Sequence, residues 1–228
     1  MKTISIIIPV YNEEKTIKEL LNRIINLKTG LKKEIIAVDD GSKDNSHSVL
    51  EKFKGIKLIS HRFNRGKGAA VRTGLSHSTG DIILIQDADL EYPPEQIPNL
   101  LAPILQNKAD VVFGSRFLKK ENEKWKIFSH YLGNRLISFF ANLLYGKNLT
   151  DIETCYKIFT KKVKDSLDLR LNDFGFEVEF FANVCAKNYR IAELPIEYKP
   201  RVWAEGKKIN WRDGVKAIWY LLKMKFKN

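Results

Sequence analysis

The sequence contains, from Ile82 to Glu91, the stretch Ile-Ile-Leu-Ile-Gln-Asp-Ala-Asp-Leu-Glu, an apolar run that ends in carboxylates. A short continuous run of this kind is typical of a strand buried on both faces of a parallel sheet. The ligand crevice of such a sheet lies at the carboxyl ends of its strands, so Asp87 and Asp89 should border it. If the chain stays extended there, both carboxylates lie on one face and suit Mg²⁺ or Mn²⁺. The alternative is a pair of solvated turn aspartates, since Asp-x-Asp also recurs by chance.

Composition indicates a globular protein with one sizeable α/β core. The chain has 228 residues, 44% of them hydrophobic and 29% charged, and these values exclude a disordered chain. Cys155 and Cys185 stand far apart without C-x-x-C spacing, and no secretory signal is recognisable, so both are predicted to be free thiols in a reducing cytoplasm. No apolar run approaches the roughly 20 residues that a membrane-spanning helix needs.

The net charge is +12, and most of it lies near the end of the chain. From Lys199 to Asn228, nine Lys or Arg residues stand against two acids, which gives +7 in this segment. Such a concentration of positive charge suits nucleic acid, an anionic membrane or phosphorylated substrates, and it also fits a solvated helix face. Composition alone leaves these alternatives open.

Strands and helices alternate along the first half of the sequence. Apolar runs predict strands at residues 4–10, 34–38, 56–60, 82–85 and 109–114, with helices between them. This alternation predicts an α/β fold with a mostly parallel, twisted, Rossmann-like sheet and helices on both faces.

Polar side chains follow the predicted strands where each strand ends. Because these ends meet at one edge of a parallel sheet, residues distant in sequence should converge on one crevice, which disfavours the solvated-turn alternative. Asn12 is also predicted to cap the first helix, with Glu13 and Glu14 in its first turn. The strand-end residues are Tyr11, Asp39, Asp40, Asp87, Asp89 and Arg116.

Five short motifs carry a resemblance to a known family. The chain resembles the family 2 glycosyltransferases of the GT-A fold, and among them most of all the dolichyl-phosphate (polyprenyl-phosphate) mannose synthase group. The matching stretches cover most of residues 1–118 in the family's order. They are Ile8-Pro9-Val10-Tyr11-Asn12-Glu13, Val38-Asp39-Asp40-Gly41-Ser42, Arg65-Gly66-Lys67-Gly68, Asp87-Ala88-Asp89-Leu90 and Gly114-Ser115-Arg116.

The resemblance implies roles for individual residues. Asp87 and Asp89 would bind a metal ion on the diphosphate of a nucleotide sugar, and Asp87 would thereby also contact the donor. Glu91 stands where the mannose synthases often have Gln, so it is a third candidate metal ligand. Apart from the resemblance, the positive charge of Lys67 suits it to stabilise the diphosphate as it leaves. The residues implied to hold the nucleoside are Pro9, Tyr11, Glu13 and Asp40.

The second half of the sequence is expected to bind the acceptor. Residues 151–159 resemble the family's acceptor-side strand, and a helix is predicted at 174–187. A further strand at 195–201 resembles the one after which related enzymes place a basic residue against phosphate. Arg201 and Arg116 are therefore the candidates for binding an acceptor phosphate, and a solvated surface arginine is the alternative for either.

Two segments, residues 125–145 and 211–228, combine an apolar stripe with lysines. Each fits a helix that lies in the interface of an anionic membrane, and each also fits a helix that docks its stripe on the core. The predicted organisation is a GT-A domain at 1–205 and a basic amphipathic helix at 206–228. Within the domain, residues 1–118 form the nucleotide-sugar half and residues 119–205 the acceptor half.

Taken with the resemblance, these features predict an inverting, metal-dependent transfer of mannose or glucose from a nucleoside diphosphate sugar to polyprenyl or dolichyl phosphate. Mg²⁺ or Mn²⁺ is the expected cofactor, and Asp89, Arg116 and Arg201 are the expected catalytic residues. A lipid phosphate has a second pKa of about 6, so it is largely ionised at pH 7 and needs no general base. The protein is expected to bind peripherally to the cytoplasmic face of an anionic membrane. No nucleic-acid partner is expected.

Two other functions stay open. Transfer to a saccharide hydroxyl would need a carboxylate base, and Glu177 or Glu179 could serve. A basic module that binds membranes or nucleic acid, with the fold retained and turnover lost, is the non-enzymatic alternative. The intact acids at the strand ends argue against that module.

Overall fold

A seven-stranded mixed sheet organises the protein. The strands are β1 (Thr3–Val10), β2 (Lys32–Asp39), β3 (Ile56–Ser60), β4 (Ile82–Ile85), β5 (Val111–Ser115), β6 (Lys157–Thr160) and β7 (Ile191–Pro195). Their order in the sheet is β3-β2-β1-β4-β6-β5-β7. All neighbouring strands are parallel except the two pairs that contain β6, which runs antiparallel to β4 and β5. The predicted mostly parallel α/β sheet is therefore confirmed.

Helices connect these strands. The structure is a computed structural model that describes residues 1–119, 128–200 and 211–227. Cys155 and Cys185 are buried free thiols, as predicted. The helices are α1 (Ile17–Asn26), α2 (Ser46–Leu50), α3 (Lys67–His77), α4 (Ile97–Leu105), α5 (Phe128–Tyr145), α6 (Lys161–Ser166), α7 (Phe176–Ala186) and α8 (Trp211–Lys227), with a 3₁₀ turn at Pro94–Gln96 before α4.

β1 and β4 form the centre of the core. Ile6 pairs with Leu84 and Ile7 with Ile85, and all four side chains are buried. A strand that is covered on both faces carries apolar residues without alternation, which is why the run at 82–85 predicted β4 correctly. α3 crosses β1 closely at Gly74, where a Cβ atom would clash with Ile7. The central strands thereby present their carboxyl ends from a rigid platform.

The first helix begins later than predicted. α1 starts at Ile17 after Thr16, whereas Asn12 has a φ of 53° and its side-chain oxygen accepts the backbone N–H of Lys43 at 2.8 Å. Asparagine tolerates this left-handed conformation better than most residues do. Asn12 therefore joins two loops at the edge of the sheet, and its predicted role as a helix cap was wrong.

The second half departs most from the prediction. Of the predicted strand at 151–159, only residues 157–159 are in a strand; this strand, β6, continues to Thr160 and is antiparallel to its neighbours. The predicted strand at 195–201 was misplaced, because the strand that pairs with β5 ends at Pro195. The segment after Pro195 instead follows the sheet edge, where the backbone N–H of Lys199 donates to the Glu91 carbonyl at 2.9 Å.

The tail helix α8 docks by one side and exposes the other. It packs against α5 and α7 through the buried residues Ala217 and Leu221, and the Tyr145 hydroxyl donates to the Leu221 carbonyl at 3.3 Å. Trp219 on the outer side is 54% exposed. Within the described ranges, no helix is long and apolar enough to cross a membrane. The alternative in which this helix docks on the core is therefore confirmed for one side of α8. The other side keeps an exposed apolar stripe.

Candidate active site

Asp87, which follows β4, pairs with Lys67 at the start of α3. Lys67 Nζ lies 2.9 Å from Asp87 Oδ1 and 2.9 Å from Glu177 Oε1, so the ammonium bridges two acids. Burial by itself would lower the pKa of Lys67, but the charges of Asp87 and Glu177 raise that pKa well above its ordinary value. Burial would likewise raise the pKa of Asp87, and the Lys67 charge lowers it instead. Both groups are therefore ionised at neutral pH.

A second lysine extends this pair into the core. Lys157 of β6 is fully buried and donates to the other carboxylate oxygen of Glu177 and to the Thr154 carbonyl. Asp87, Lys67, Glu177 and Lys157 thus form a chain of alternating charges without net charge, which we call the buried charge chain. Buried charges persist in proteins when they are paired in this way.

The two acids of α7 that were candidates for a general base have structural partners. Glu177 accepts hydrogen bonds from both lysines of the buried charge chain. Glu179 accepts the backbone N–H groups of Arg170 and Leu171, each at 2.9 Å, and so holds the loop before α7. Both acids are thus engaged by groups of the protein itself, and service of either as a general base stays a prediction.

Gly66 and Gly68 let the second half close over the start of α3. A Cβ atom on either glycine would clash with the carbonyl oxygens of Asn172 or Leu171, and Gly66 has a φ of 97° that favours glycine. The packing partner is the loop before α7, and this contact fixes where Lys67 stands.

Asp89 and Glu91 lie in a turn after β4. Leu90 between them has a φ of 62°, which is uncommon for a branched side chain and marks local backbone strain. Asp89 Oδ1 accepts the backbone N–H of Glu91 at 3.1 Å, and Glu91 Oε2 accepts the Tyr198 hydroxyl at 2.9 Å. Ala88 and Asp89 already lie in this turn, so the extended geometry on which a shared face for Asp87 and Asp89 depended is absent.

The donor set nevertheless suits a divalent ion that is shared with a substrate. Asp87 and Asp89 supply hard carboxylate oxygens, and Mg²⁺ is usually bound by one or two carboxylates together with waters and substrate phosphates. Among the described residues, no group of three or more His, Cys, Asp or Glu side chains is arranged to hold an ion. The pair thus fits an ion bound jointly with a diphosphate, and Glu91 as a third ligand stays a prediction.

Asp40 is buried and holds the loop between β3 and α3. Its Oδ1 accepts the backbone N–H of Arg65 at 2.9 Å and a hydrogen bond from His61 Nδ1 at 2.6 Å, and its Oδ2 accepts the backbone N–H of Gly66 at 2.8 Å. The carboxylate therefore shapes the loop that leads to Lys67. Its predicted direct contact with the nucleoside stays a prediction.

The other three candidates for nucleoside binding lie at the end of β1. Pro9 is within the strand, Tyr11 follows it directly, and Glu13 is buried in the loop before α1. The backbone N–H of Asp40 donates to the Val10 carbonyl at 2.8 Å, which joins the ends of β1 and β2. The structure thus brings these residues to one edge of the sheet, as predicted, and their individual roles stay predictions.

Arg116 follows β5 and is held by Asp151. Arg116 Nε and Nη2 each lie 2.7 Å from an oxygen of the fully buried Asp151 carboxylate, in a bidentate pair. Burial would lower the pKa of Arg116, and the Asp151 charge raises it well above its ordinary value. The guanidinium carbon lies 5.3 Å from the ring centre of Tyr198, whose hydroxyl reaches Glu91. Arg201, the predicted partner of Arg116, lies outside the described residues.

Several site residues were missed from the sequence, namely Asp151, Lys157, His61 and Tyr198. One signal could have found Lys157, because a lysine inside the apolar run Tyr156-Lys157-Ile158-Phe159 must either face solvent or have a buried acidic partner. Asp151 lies outside the regular elements, and its partner is 35 residues away. No local pattern announces such a pair.

Comparisons with known proteins identify relatives of this chain. Residues 5–167 match the family model "Glycosyl transferase family 2". Dolichol-phosphate mannosyltransferase of Pyrococcus furiosus is 30% identical over 209 residues, which are 90% of this chain and 58% of that protein. Undecaprenyl-phosphate 4-deoxy-4-formamido-L-arabinose transferase of Salmonella choleraesuis is 31% identical over 214 residues, 91% of this chain and 63% of that protein. The chain thus spans about three fifths of the length of these curated relatives.

A solved structure shares the fold. Glucosyl-3-phosphoglycerate synthase from Mycobacterium tuberculosis, in complex with Mn²⁺, UDP and phosphoglyceric acid, superposes with a TM-score of 0.77 at 20% identity and covers 98% of this chain and 78% of that one. This likeness confirms the GT-A fold. Both sequence relatives are named for a polyprenyl phosphate, in agreement with the resemblance that the motifs carry. Because the family model covers residues 5–167, more than half of the chain, the chain belongs to glycosyl transferase family 2.

Proposed function

We propose that this chain transfers a hexose, mannose or glucose, from a nucleoside diphosphate sugar to polyprenyl or dolichyl phosphate. The observation that carries the proposal is the pairing of Lys67 with Asp87, next to Asp89, at the carboxyl edge of the sheet. This arrangement offers a cation and hard anionic ligands together, as a diphosphate leaving group requires. Family membership supports sugar transfer, and the names of the two relatives support a polyprenyl phosphate acceptor.

On the donor side, breakage of the bond between the anomeric carbon and the diphosphate leaves negative charge on phosphate oxygens. Lys67 donates hydrogen bonds to these oxygens and balances part of that charge. A bound Mg²⁺ or Mn²⁺ ion on Asp87 and Asp89, with Glu91 as a third proposed ligand, would supply further positive charge. The proposed nucleoside contacts are Pro9, Tyr11, Glu13 and Asp40.

On the acceptor side, the lipid phosphate attacks as an anion. Its second pKa of about 6 leaves it largely ionised at pH 7, so no general base is needed. This suits a site in which Glu177 and Glu179 are bonded to other groups. Arg116 and Arg201 are proposed to orient the phosphate, because a guanidinium matches phosphate oxygens in bidentate geometry. The proposed stereochemical outcome is inversion.

Transfer from radiolabelled GDP-mannose or UDP-glucose is expected with polyprenyl phosphate and not with free polyprenol. The reason is that only the phosphate supplies an ionised nucleophile without a base. Product is read in the organic phase, with Mn²⁺ and again with the ion removed by a chelator, which should abolish transfer. Equal transfer to polyprenol would contradict the proposed acceptor. Nucleotide-sugar binding without turnover towards any acceptor would instead favour the non-enzymatic module.

α5 and α8 each expose an apolar side, and we call these two sides together the α5–α8 face. The two helices pack against each other. Exposed lysines accompany the apolar residues on α8, and Lys223 Nζ lies 4.7 Å from the ring centre of Trp219. Apolar residues flanked by lysines suit the interface of an anionic membrane, which we propose as the cytoplasmic-face binding partner. The exposed apolar residues are Leu132, Leu136, Phe139, Phe140, Leu143, Val215, Trp219, Leu222 and Phe226.

Replacing Leu143 and Trp219 together by Glu is expected to abolish flotation with anionic liposomes. Both side chains are more than half exposed, so the change removes apolar contact and adds repulsion without opening the core. Deleting α8 would be a poorer test, because Leu221 is fully buried. The matched control is Leu105→Glu at the exposed end of α4, which should float normally. Unchanged flotation of the double variant would exclude the α5–α8 face as the membrane contact.

A further inference from the structure

Two neighbouring side chains next to the site have buried polar atoms without a hydrogen-bond partner. They are Glu153 Oε1 and Thr154 Oγ1, in the segment between α5 and β6, and they are the two such atoms found in the described part of the chain. Buried polar atoms in native proteins almost always have a partner, because an unmade hydrogen bond costs free energy. Two adjacent exceptions beside a candidate active site need a partner that the described part of the protein does not supply.

The position of these atoms connects the two halves of the site. Two residues before Glu153, Asp151 holds Arg116 on the proposed acceptor side. On the other side, the carbonyl of Thr154 accepts a hydrogen bond from Lys157 of the buried charge chain, which leads through Glu177 to Lys67 and Asp87. Along the chain, Glu153 and Thr154 thus stand between a residue that holds Arg116 and a residue of the buried charge chain. In a transfer reaction, the sugar lies between the acceptor phosphate and the donor diphosphate, so residues next to both sets of groups are placed to contact it.

The chemistry of Glu153 selects a neutral ligand. Burial, followed by the charge of Glu177, raises the pKa of Glu153 to about 8, while Lys157 and Arg116 act in the opposite direction. The carboxyl is then mostly protonated at pH 7 and carries one O–H donor and one carbonyl acceptor. A hydroxyl group of a ligand both donates and accepts, so it can pair with both groups of the neutral carboxyl. The Thr154 hydroxyl has the same dual capacity.

We propose that Glu153 and Thr154 bind a hydroxyl group of the sugar being transferred and so help to determine which sugar the protein accepts. This inference rests on the proposed function, since it requires a nucleotide sugar in the site. It assigns these residues to recognition of the sugar and not to its chemistry. A site built to hydrogen-bond a substrate hydroxyl rejects an analogue that lacks it, because the buried protein atoms then stay unpaired.

The test compares a nucleotide sugar with the nucleotide alone. Dissociation constants are measured by calorimetry for UDP-glucose against UDP and for GDP-mannose against GDP, each with Mn²⁺. For the pair that binds, Glu153→Ala should raise the dissociation constant of the nucleotide sugar by about tenfold and leave that of the nucleoside diphosphate unchanged. Glu153→Gln should stay near normal, because an amide also offers a donor and an acceptor.

Thr154→Val serves as the second variant, because it removes the hydroxyl and keeps nearly the same shape. Thr154→Val should also weaken binding of the nucleotide sugar selectively. The control is Asp165→Asn on the exposed side of α6, which should leave the binding of both ligands unchanged. The inference alone would be overturned if Glu153→Ala and Thr154→Val both weakened the binding of nucleotide sugar and nucleoside diphosphate equally. It would also be overturned if neither variant weakened the binding of either ligand. Loss of turnover in Glu153→Gln with normal binding, which indicates a general base, would likewise overturn the inference. Failure of the wild-type chain to bind any nucleotide or nucleotide sugar would overturn the proposed function as well.

Discussion

Replacing Asp89 by Asn is expected to lower the rate of sugar transfer by about a hundredfold to a thousandfold while the fold stays intact. The Asp89 side chain accepts the backbone N–H of Glu91 through Oδ1, and an asparagine oxygen can accept the same bond. What the variant loses is one negative charge towards the proposed ion on the diphosphate. Because that ion would balance the charge that develops as the leaving group departs, the loss should appear mainly in turnover.

The measurement is transfer from a radiolabelled nucleotide sugar, together with calorimetric binding of that sugar with and without Mn²⁺. In Asp89→Asn the affinity should lose its dependence on the ion, and the unfolding transition should stay near that of the wild type. Asp81→Asn is the matched control, because Asp81 precedes the same strand β4 at its opposite end and accepts the backbone N–H of Thr3 at 2.8 Å. Normal turnover and normal ion dependence in Asp89→Asn would refute the metal assignment.

Replacing Glu177 by Gln is expected to destabilise the protein by about 3 to 5 kcal/mol, which is typical for breaking a buried ion pair from one side. The reason is that the negative charges of two acids and the positive charges of two lysines balance in the buried charge chain. Without the Glu177 charge the chain carries one excess positive charge. Lys157, which is fully buried, then retains a carbonyl and an amide in place of a carboxylate. Urea unfolding followed by circular dichroism measures the loss.

The matched control is Glu197→Gln, which removes the same charge from an exposed ion pair. Glu197 lies 2.8 Å from Lys119, and its side chain is 56% exposed. Exposed pairs contribute about 0 to 1 kcal/mol, so this variant should be almost as stable as the wild type. A Glu177→Gln protein that unfolds like the control but has lost turnover would contradict the structural role and restore Glu177 as a base.

The central sheet and the edge that carries the site could be predicted because both are encoded locally. β1, β2 and β4 are apolar runs, and each is followed within a few residues by the polar side chains that the structure places at one edge. The strand in the second half was harder to place. Residues 191–195 and 195–201 both contain alternating apolar positions, and pairing with β5 selects the first of them. The alternation of apolar residues in the sequence shows that a strand can form, whereas pairing with a neighbouring strand fixes its register.

By itself, the sequence determined the α/β class, the strand-end positions of Asp87, Asp89 and Arg116, and the family, because each depends on residues that are close together along the chain. Only the tertiary structure decided which charges meet. Lys67 bridges Asp87 and Glu177 across 20 and 110 residues, and Arg116 is held by an aspartate 35 residues away. The physical reason is that a buried charge must find an opposite charge wherever the fold brings one within reach, and no periodicity in the sequence records that distance.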